Sequence, residues 1–399
     1  MTTVQPRLAA RMAGLKASEI RELLKLTQKP EVISFAGGLP AAELFPAREM
    51  AAITQEILAT EGCRVLQYST TEGDPELRRG IAARMGEVQG AAVTADEILI
   101  TSGSQQGLDL TGKLLLDAGD VVLCESPTYV GAIGAFKAYQ PRFAEVETDD
   151  EGMVPEALQR ALAEHGAAVK LIYAIPDFQN PSGRTWTLAR RRAVLALAAR
   201  HGVPVIEDSP YGELRFEGEP LPALKALDEH DNVVFLGTFS KIFCPGLRCG
   251  WLAAPRSLRE RYVMIKQGAD LHTATLIQRQ VAEYLRRHGL KDNIRRVIEV
   301  YRERRDLMVA ALDAGLPDGV TFTRPEGGLF LWVTFPADVS GRDVLEACLK
   351  RDVAFVPGGA FFPCGGNENH ARLNFSFMPP ERIAEGAERF CAAVREFLA

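Results

Sequence analysis

Between residues 50 and 285 the chain alternates short apolar runs with longer stretches of helical periodicity, and this alternation most restricts what it can fold into. The runs are EILIT (97–101), VVLCE (121–125), KLIYAI (170–175), VPVIED (203–208), NVVFLGT (232–238) and GWLAA (250–254). They are apolar almost throughout rather than at every second position, which marks strands covered on both faces. Separators such as LDLTGKLLLDAG and RRRAVLALAARHG carry the apolar spacing of helices. Covered strands joined by helices predict an α/β domain with a mostly parallel sheet.

From about 257 to 313 the pattern is long, charged and helical. The last third changes character: GGLFLWVTFP (327–336), VAFVPGG (353–359) and ARLNFSF (371–377) read as strands before a C-terminal amphipathic helix. A smaller α+β domain is expected there. Ahead of the α/β pattern, Ser18 reads as an N-cap, with Ile20, Leu23 and Leu24 on one helical face. SFAGGLPAAELFP (34–46) follows as an irregular Gly/Pro-rich segment. The expected division is an N-terminal helix and loop segment (1–45), a large domain (46–290) and a small domain (291–399).

In an open parallel sheet, ligands gather beyond the carboxyl ends of the strands, so the residues just after each run carry the information. After EILIT, SGSQQG (102–107) opens a helix, and small residues at a helix N-terminus can cradle an anion. After KLIYAI, PDFQNPSG (176–183) fixes Asn180 ahead of a proline with its amide free to donate. After VPVI come Asp208, a carboxylate at a buried strand end that needs a partner, and Tyr211. After NVVFLGT, TFSKIFCPGLRCGW supplies Thr238, Ser240, Lys241 and Arg248. A guanidinium suits a phosphate dianion, and it also lowers the pKa of a neighbouring amine that must attack a carbonyl. Taken singly, each of these is an ordinary turn, cap or surface charge.

Their convergence is what points to one ligand. Pyridoxal phosphate presents a phosphate, a ring nitrogen that works as an electron sink when protonated, a 3′-oxygen, and an aldehyde that condenses with lysine. In this reading Lys241 takes the aldehyde and Asp208 holds the ring proton. Asn180 and Tyr211 donate to the 3′-oxygen. Thr238, Ser240, Arg248 and the loop with Ser104 and Gln105 bind the phosphate.

The motifs IRELLKLTQKPEVISFAGGLPAAELFP, LQYSTTEGDPELR, TSGSQQGLDL, FQNPSGRT, EDSPYGELRF, TFSKIFCPGLRCGW, KQGADLHT and VPGGAFF then align in order with a known family. Over essentially its whole length the chain resembles the fold-type I, class I/II aminotransferases. It is most similar to the bacterial branch of 2-aminoadipate and kynurenine/aromatic aminotransferases. The resemblance implies that Tyr68 reaches the phosphate in a neighbouring subunit of a homodimer, and that Tyr129 stacks on the cofactor ring. It also implies that Arg372 grips the substrate α-carboxylate, that Gly37 and Gly38 lie over the substrate, and that Arg21 recognises a distal carboxylate. Two positions depart from the family: Ser209 stands where a second Asp is frequent, and Cys244 where Ala or Ser is usual before Pro-Gly.

The activity this implies is transfer of the amino group of an L-amino acid to a 2-oxo acid, expected to be 2-oxoglutarate. The donor would be of 2-aminoadipate, glutamate, aromatic or branched-chain type. A lyase or decarboxylase on the same scaffold remains an alternative, because function lies in the substrate side of the site. The effector domain of a transcriptional regulator would need a DNA-binding segment ahead of the core. The 46 basic and 52 acidic residues leave a net charge of −6 without charged blocks, which disfavours nucleic-acid and membrane-surface partners. No apolar run approaches the ~18 residues of a transmembrane helix. Seven scattered cysteines without C-x-x-C spacing read as reduced thiols in a cytoplasmic protein, with no metal site.

Overall fold

The computed structural model describes residues 7–14 and 31–399. The sequence-predicted N-terminal helix, with Ser18 and Arg21, lies outside them. Fourteen strands occur among the described residues. They are β1 (Ile33–Ser34), β2 (Ile98–Thr101), β3 (Val121–Ser126), β4 (Arg142–Asp149), β5 (Gly152–Met153), β6 (Val169–Ala174) and β7 (Val205–Asp208). There follow β8 (Val233–Thr238), β9 (Gly250–Ala253), β10 (Thr321–Phe322), β11 (Phe330–Thr334), β12 (Val353–Ala354), β13 (Val356–Pro357) and β14 (His370–Asn374).

The central sheet has eight strands in the order β2-β9-β8-β7-β6-β3-β4-β5. Every residue of β2, β7, β8 and β9 is buried, as their uninterrupted apolar runs require. The pairs β3/β4, β3/β6, β6/β7 and β7/β8 are parallel. The α/β fold with a mostly parallel sheet is thus as expected. Strand β9 is antiparallel to both its neighbours. The connection 239–249 holds only a short 3-10 turn at Pro245–Leu247, too little chain for the helical crossover that a parallel return needs. Strand β4 was not foreseen. Of its residues only Val146 is fully buried, so it carries no apolar run to betray it.

A second sheet, β10-β11-β14-β13, lies in the C-terminal third, and its three paired interfaces are antiparallel. VAFVPGG divides into two short strands, β12 and β13. The 34–46 segment is not wholly irregular: β1 pairs in parallel with β12, so chain just ahead of the large sheet joins the C-terminal unit. The helices Lys291–Gly315 and Pro380–Leu398 pack against each other beneath that unit. Among the described residues, no helix is long and apolar enough to cross a membrane.

This topology sets up the site. Strands β2, β6, β7 and β8 all end on one edge of the large sheet, and the chain at Ala36–Gly38 passes over that edge.

Candidate active site

Strand β2 ends at Thr101, and residues 102–103 turn into the helix Ser104–Leu115. Gly103 sits at φ +77°, and a Cβ on it would lie 2.6 Å from Arg248 Nη2, so only glycine lets the guanidinium lie against the turn. Gly250 on β9 is needed for a similar reason: a Cβ there would lie 2.8 Å from Ser104 N. The first N–H groups of a helix have no partners within it, so this packed turn offers donors to an anion. Thr238 Oγ1 donates to Ser240 Oγ at 2.9 Å beside them.

Lys241 follows β8, and its Nζ donates to the Gly38 carbonyl at 2.7 Å. Burial, then the charges of Arg372 and Arg248, pull its pKa down to about 8, with Asp208 opposing. Asp208 closes β7 at 2% exposure. Its Oδ2 accepts from the Tyr173 hydroxyl at 2.8 Å, whereas its Oδ1 is buried without a hydrogen-bond partner among the described residues. Burial pushes this carboxyl up to about 6, against the hydrogen bond from Tyr173 and the charge of Lys241. An amine lowered and an acid raised in one cavity are what proton-transfer chemistry uses.

Tyr211, Asn180 and Arg372 form one connected set. Asn180 Nδ2 donates to the Tyr211 hydroxyl at 3.3 Å, and Asn180 Oδ1 accepts from Arg372 Nη1 at 2.9 Å. Arg372 Nη2 donates to the Ala36 carbonyl at 2.6 Å. The guanidinium carbon lies 4.2 Å from the centre of the Phe330 ring and 5.1 Å from that of Phe361. Burial lowers the Arg372 pKa to about 10, so it stays cationic at neutral pH. It is 1% exposed, and among the described residues it forms no ion pair with a carboxylate.

Ser104, Gln105, Tyr129, Asp208, Tyr211, Thr238, Ser240, Lys241 and Arg248 line one cavity of about 140 Å³. Asn180, Arg372 and Gly38 adjoin it through the hydrogen bonds above. Tyr68 does not: it is 79% exposed, with its ring edge-on to His272 at 5.9 Å. Arg21 lies outside the described residues. Of the two departures, Ser209 N is held by the Leu236 carbonyl at 2.9 Å, and Cys244 is a half-buried thiol packed on the apolar core.

Larger clefts exist, one of about 700 Å³ beside Arg184, Arg215 and Arg324, yet none of its described lining residues is a lysine. The sequence reading missed Tyr173, the carbonyls of Ala36 and Gly38, and the rings of Phe330 and Phe361. Tyr173 left a signal: a hydroxyl inside an otherwise apolar, doubly covered run must find a partner.

The family model for aminotransferase class I and II matches residues 31–390. The chain is 45% identical to an aromatic-amino-acid aminotransferase of Thermococcus litoralis, over 96% of this chain and 93% of that one. It is 44% identical to the 2-aminoadipate transaminase of Thermus thermophilus, over 96% of each. The crystal structure of a Pyrococcus horikoshii kynurenine aminotransferase in complex with PMP matches with a TM-score of 0.94 at 40% identity, over 98% of both chains. The cofactor of such a chain is pyridoxal phosphate, and this chain belongs to the class I and II aminotransferases.

Proposed function

We propose that the cavity holds pyridoxal phosphate with its aldehyde at Lys241, its ring nitrogen at Asp208 and its phosphate among Ser104, Gln105, Thr238, Ser240 and Arg248. Asp208 Oδ1 supports the fit, because a buried acceptor without a donor is costly and a protonated ring nitrogen supplies one. Asn180 and Tyr211 donate to the 3′-oxygen, and Tyr129 covers the ring. Bound there, the cofactor supplies an electron sink for negative charge at the amino acid's α-carbon. Lys241 moves the proton between that carbon and the cofactor, a task its lowered pKa suits.

Arg372 holds the substrate α-carboxylate, and Gly38 lies over the substrate. The observation that carries this is a guanidinium buried to 1% exposure with no carboxylate paired to it among the described residues, since a buried charge needs its counter-ion. The amino donor is of 2-aminoadipate, glutamate, aromatic or branched-chain type, and 2-oxoglutarate accepts. The named activities of the two relatives support the first and third classes. Arg21 selects acidic donors through their distal carboxylate. Losing a charge-assisted hydrogen bond costs about 1.5–3 kcal/mol, so Arg21→Ala lowers kcat/KM for 2-aminoadipate by about 10–100-fold and for leucine by far less. A panel of amino acids with 2-oxoglutarate, followed by glutamate formation, measures both, and equal losses would remove Arg21 from this role.

The active enzyme is a homodimer in which Tyr68 reaches the neighbouring cofactor phosphate. Tyr68 and Leu66, at 79% and 72% exposure, form an apolar surface that one chain leaves uncovered. Sedimentation is expected to give twice the 43.6 kDa chain mass, and Tyr68→Phe to weaken cofactor binding. A monomer at working concentration contradicts this. Seven free cysteines support a reducing compartment, the cytoplasm.

A further inference from the structure

The motif KQGADLHT has no role in the site described so far, yet it contains a fully buried cation. Lys266, on the helix Arg256–Asp270, has 0% of its side chain exposed. Its Nζ donates to both carboxylate oxygens of Asp270, at 2.7 and 2.8 Å, to Gln106 Oε1 at 3.2 Å and to Thr273 Oγ1 at 3.2 Å. Gln106 stands in the first turn of the helix Ser104–Leu115. Its Oε1 also accepts from Ser102 N at 2.8 Å, while its Nε2 donates to Asp270 Oδ2 at 2.7 Å. Ser102 Oγ approaches the same carboxylate oxygen at 3.4 Å.

Lys266, Asp270 and Gln106 therefore close a ring of hydrogen bonds around the turn 102–104. The charges decide how the ring works. An ammonium only donates and a carboxylate only accepts, so together they fix which end of the Gln106 amide faces which neighbour. The oxygen must face Lys266, and in that orientation it also receives Ser102 N. The ammonium adds a second donor at Oε1 and offsets the Asp270 charge, so the orientation that receives Ser102 N is held from both sides. A buried ion pair is rarely a net source of stability compared with apolar side chains of the same volume, whereas it can impose one geometry.

We infer that Lys266 is a positioning residue for the cofactor phosphate: through Asp270 and Gln106 it holds Ser102 and the start of the helix in the shape that accepts the anion. This rests on the reading of 102–105 as part of the phosphate cradle. The geometry that must be kept is tight, because the same turn lies against Arg248 on one side and Gly250 on the other.

The test compares dissociation constants of pyridoxal phosphate and of pyridoxal, which lacks the phosphate, for full-length cofactor-free protein by absorbance titration. Lys266→Met is expected to weaken pyridoxal phosphate by about tenfold and to change pyridoxal by less than about twofold, the loss expected for one disturbed charge-assisted contact. Equal weakening of both ligands indicates general destabilisation and overturns the inference. The double variant Lys266→Met/Asp270→Leu replaces the pair with apolar groups and guards against misfolding. It is expected to recover Tm but not phosphate preference; recovered preference would also overturn the inference. Arg248→Met separates the two readings. If it keeps full phosphate preference, the cradle itself is misassigned. If it loses preference while Lys266→Met keeps it, only the positioning role fails.

Discussion

Replacing Lys241 with alanine is expected to lower kcat/KM for every amino donor by at least about 10⁴-fold, because one amine serves both as the attachment point and as the proton carrier. The loss is not one of folding. Lys241 is half-buried, and its ammonium donates to the Gly38 carbonyl, which a water can satisfy from the cavity. Truncation therefore costs about 1 kcal/mol and moves Tm by no more than about 3 °C. The absorbance of bound cofactor at the blue edge of the visible should vanish with the amine. In the wild-type cofactor-free protein, the rate of cofactor capture follows the free-amine fraction. It rises about tenfold per pH unit up to about 8, where burial and the two guanidinium groups have brought the lysine, and levels off above. A Lys241→Ala protein that still cycles, or a wild-type capture rate flat across this range, would remove the lysine from the scheme.

The second large effect belongs to Asp208. Asp208→Asn keeps the shape of the β7 terminus and an acceptor for the Tyr173 hydroxyl, but removes the negative charge that keeps the ring nitrogen protonated. Turnover should fall by about 10³-fold, the scale of losing one preorganised electrostatic group. A thermodynamic signature accompanies it. Burial pushes the Asp208 carboxyl up to about 6 in the cofactor-free fold, against about 4 in the unfolded chain, so the fold favours its protonated form. That contribution to stability is complete below pH about 4 and is lost as pH rises through about 6. A ring N–H donated to Oδ1 offsets the loss. The gain in Tm on adding pyridoxal phosphate is therefore expected to grow between pH about 5 and 7 in the wild type. In Asp208→Asn this growth should be absent, and the same growth in both proteins would exclude Asp208 as the ring partner.

Lys241 and Asp208 were legible because each follows an apolar run whose burial is written in its composition. The strand end fixes where the chain emerges, and the next polar residue must face the crevice. Gly103 and Gly250 were legible only as small residues; their purpose, close approach of Arg248 and of backbone, needed coordinates. Lys266 looked like one more charge in a helical stretch, since a one-letter code does not distinguish a solvated ammonium from a buried one. Arg372 was placed by likeness to a family. Its want of a carboxylate became visible only with its surroundings, the rings of Phe330 and Phe361 and the oxygens of Asn180 and Ala36.

The sequence by itself determined the α/β alternation, the parallel core strands and the polar groups at their ends, because periodicity and turn chemistry are properties of neighbouring residues. Tertiary structure decided the reversed strand β9, the edge strand β4 and the partners of each reactive group. Lys241 meets Gly38 across 203 positions, and Arg372 meets Ala36 across 336. Contacts at such separations are set by how sheets and helices pack, and packing is a property of the whole chain that no local pattern records.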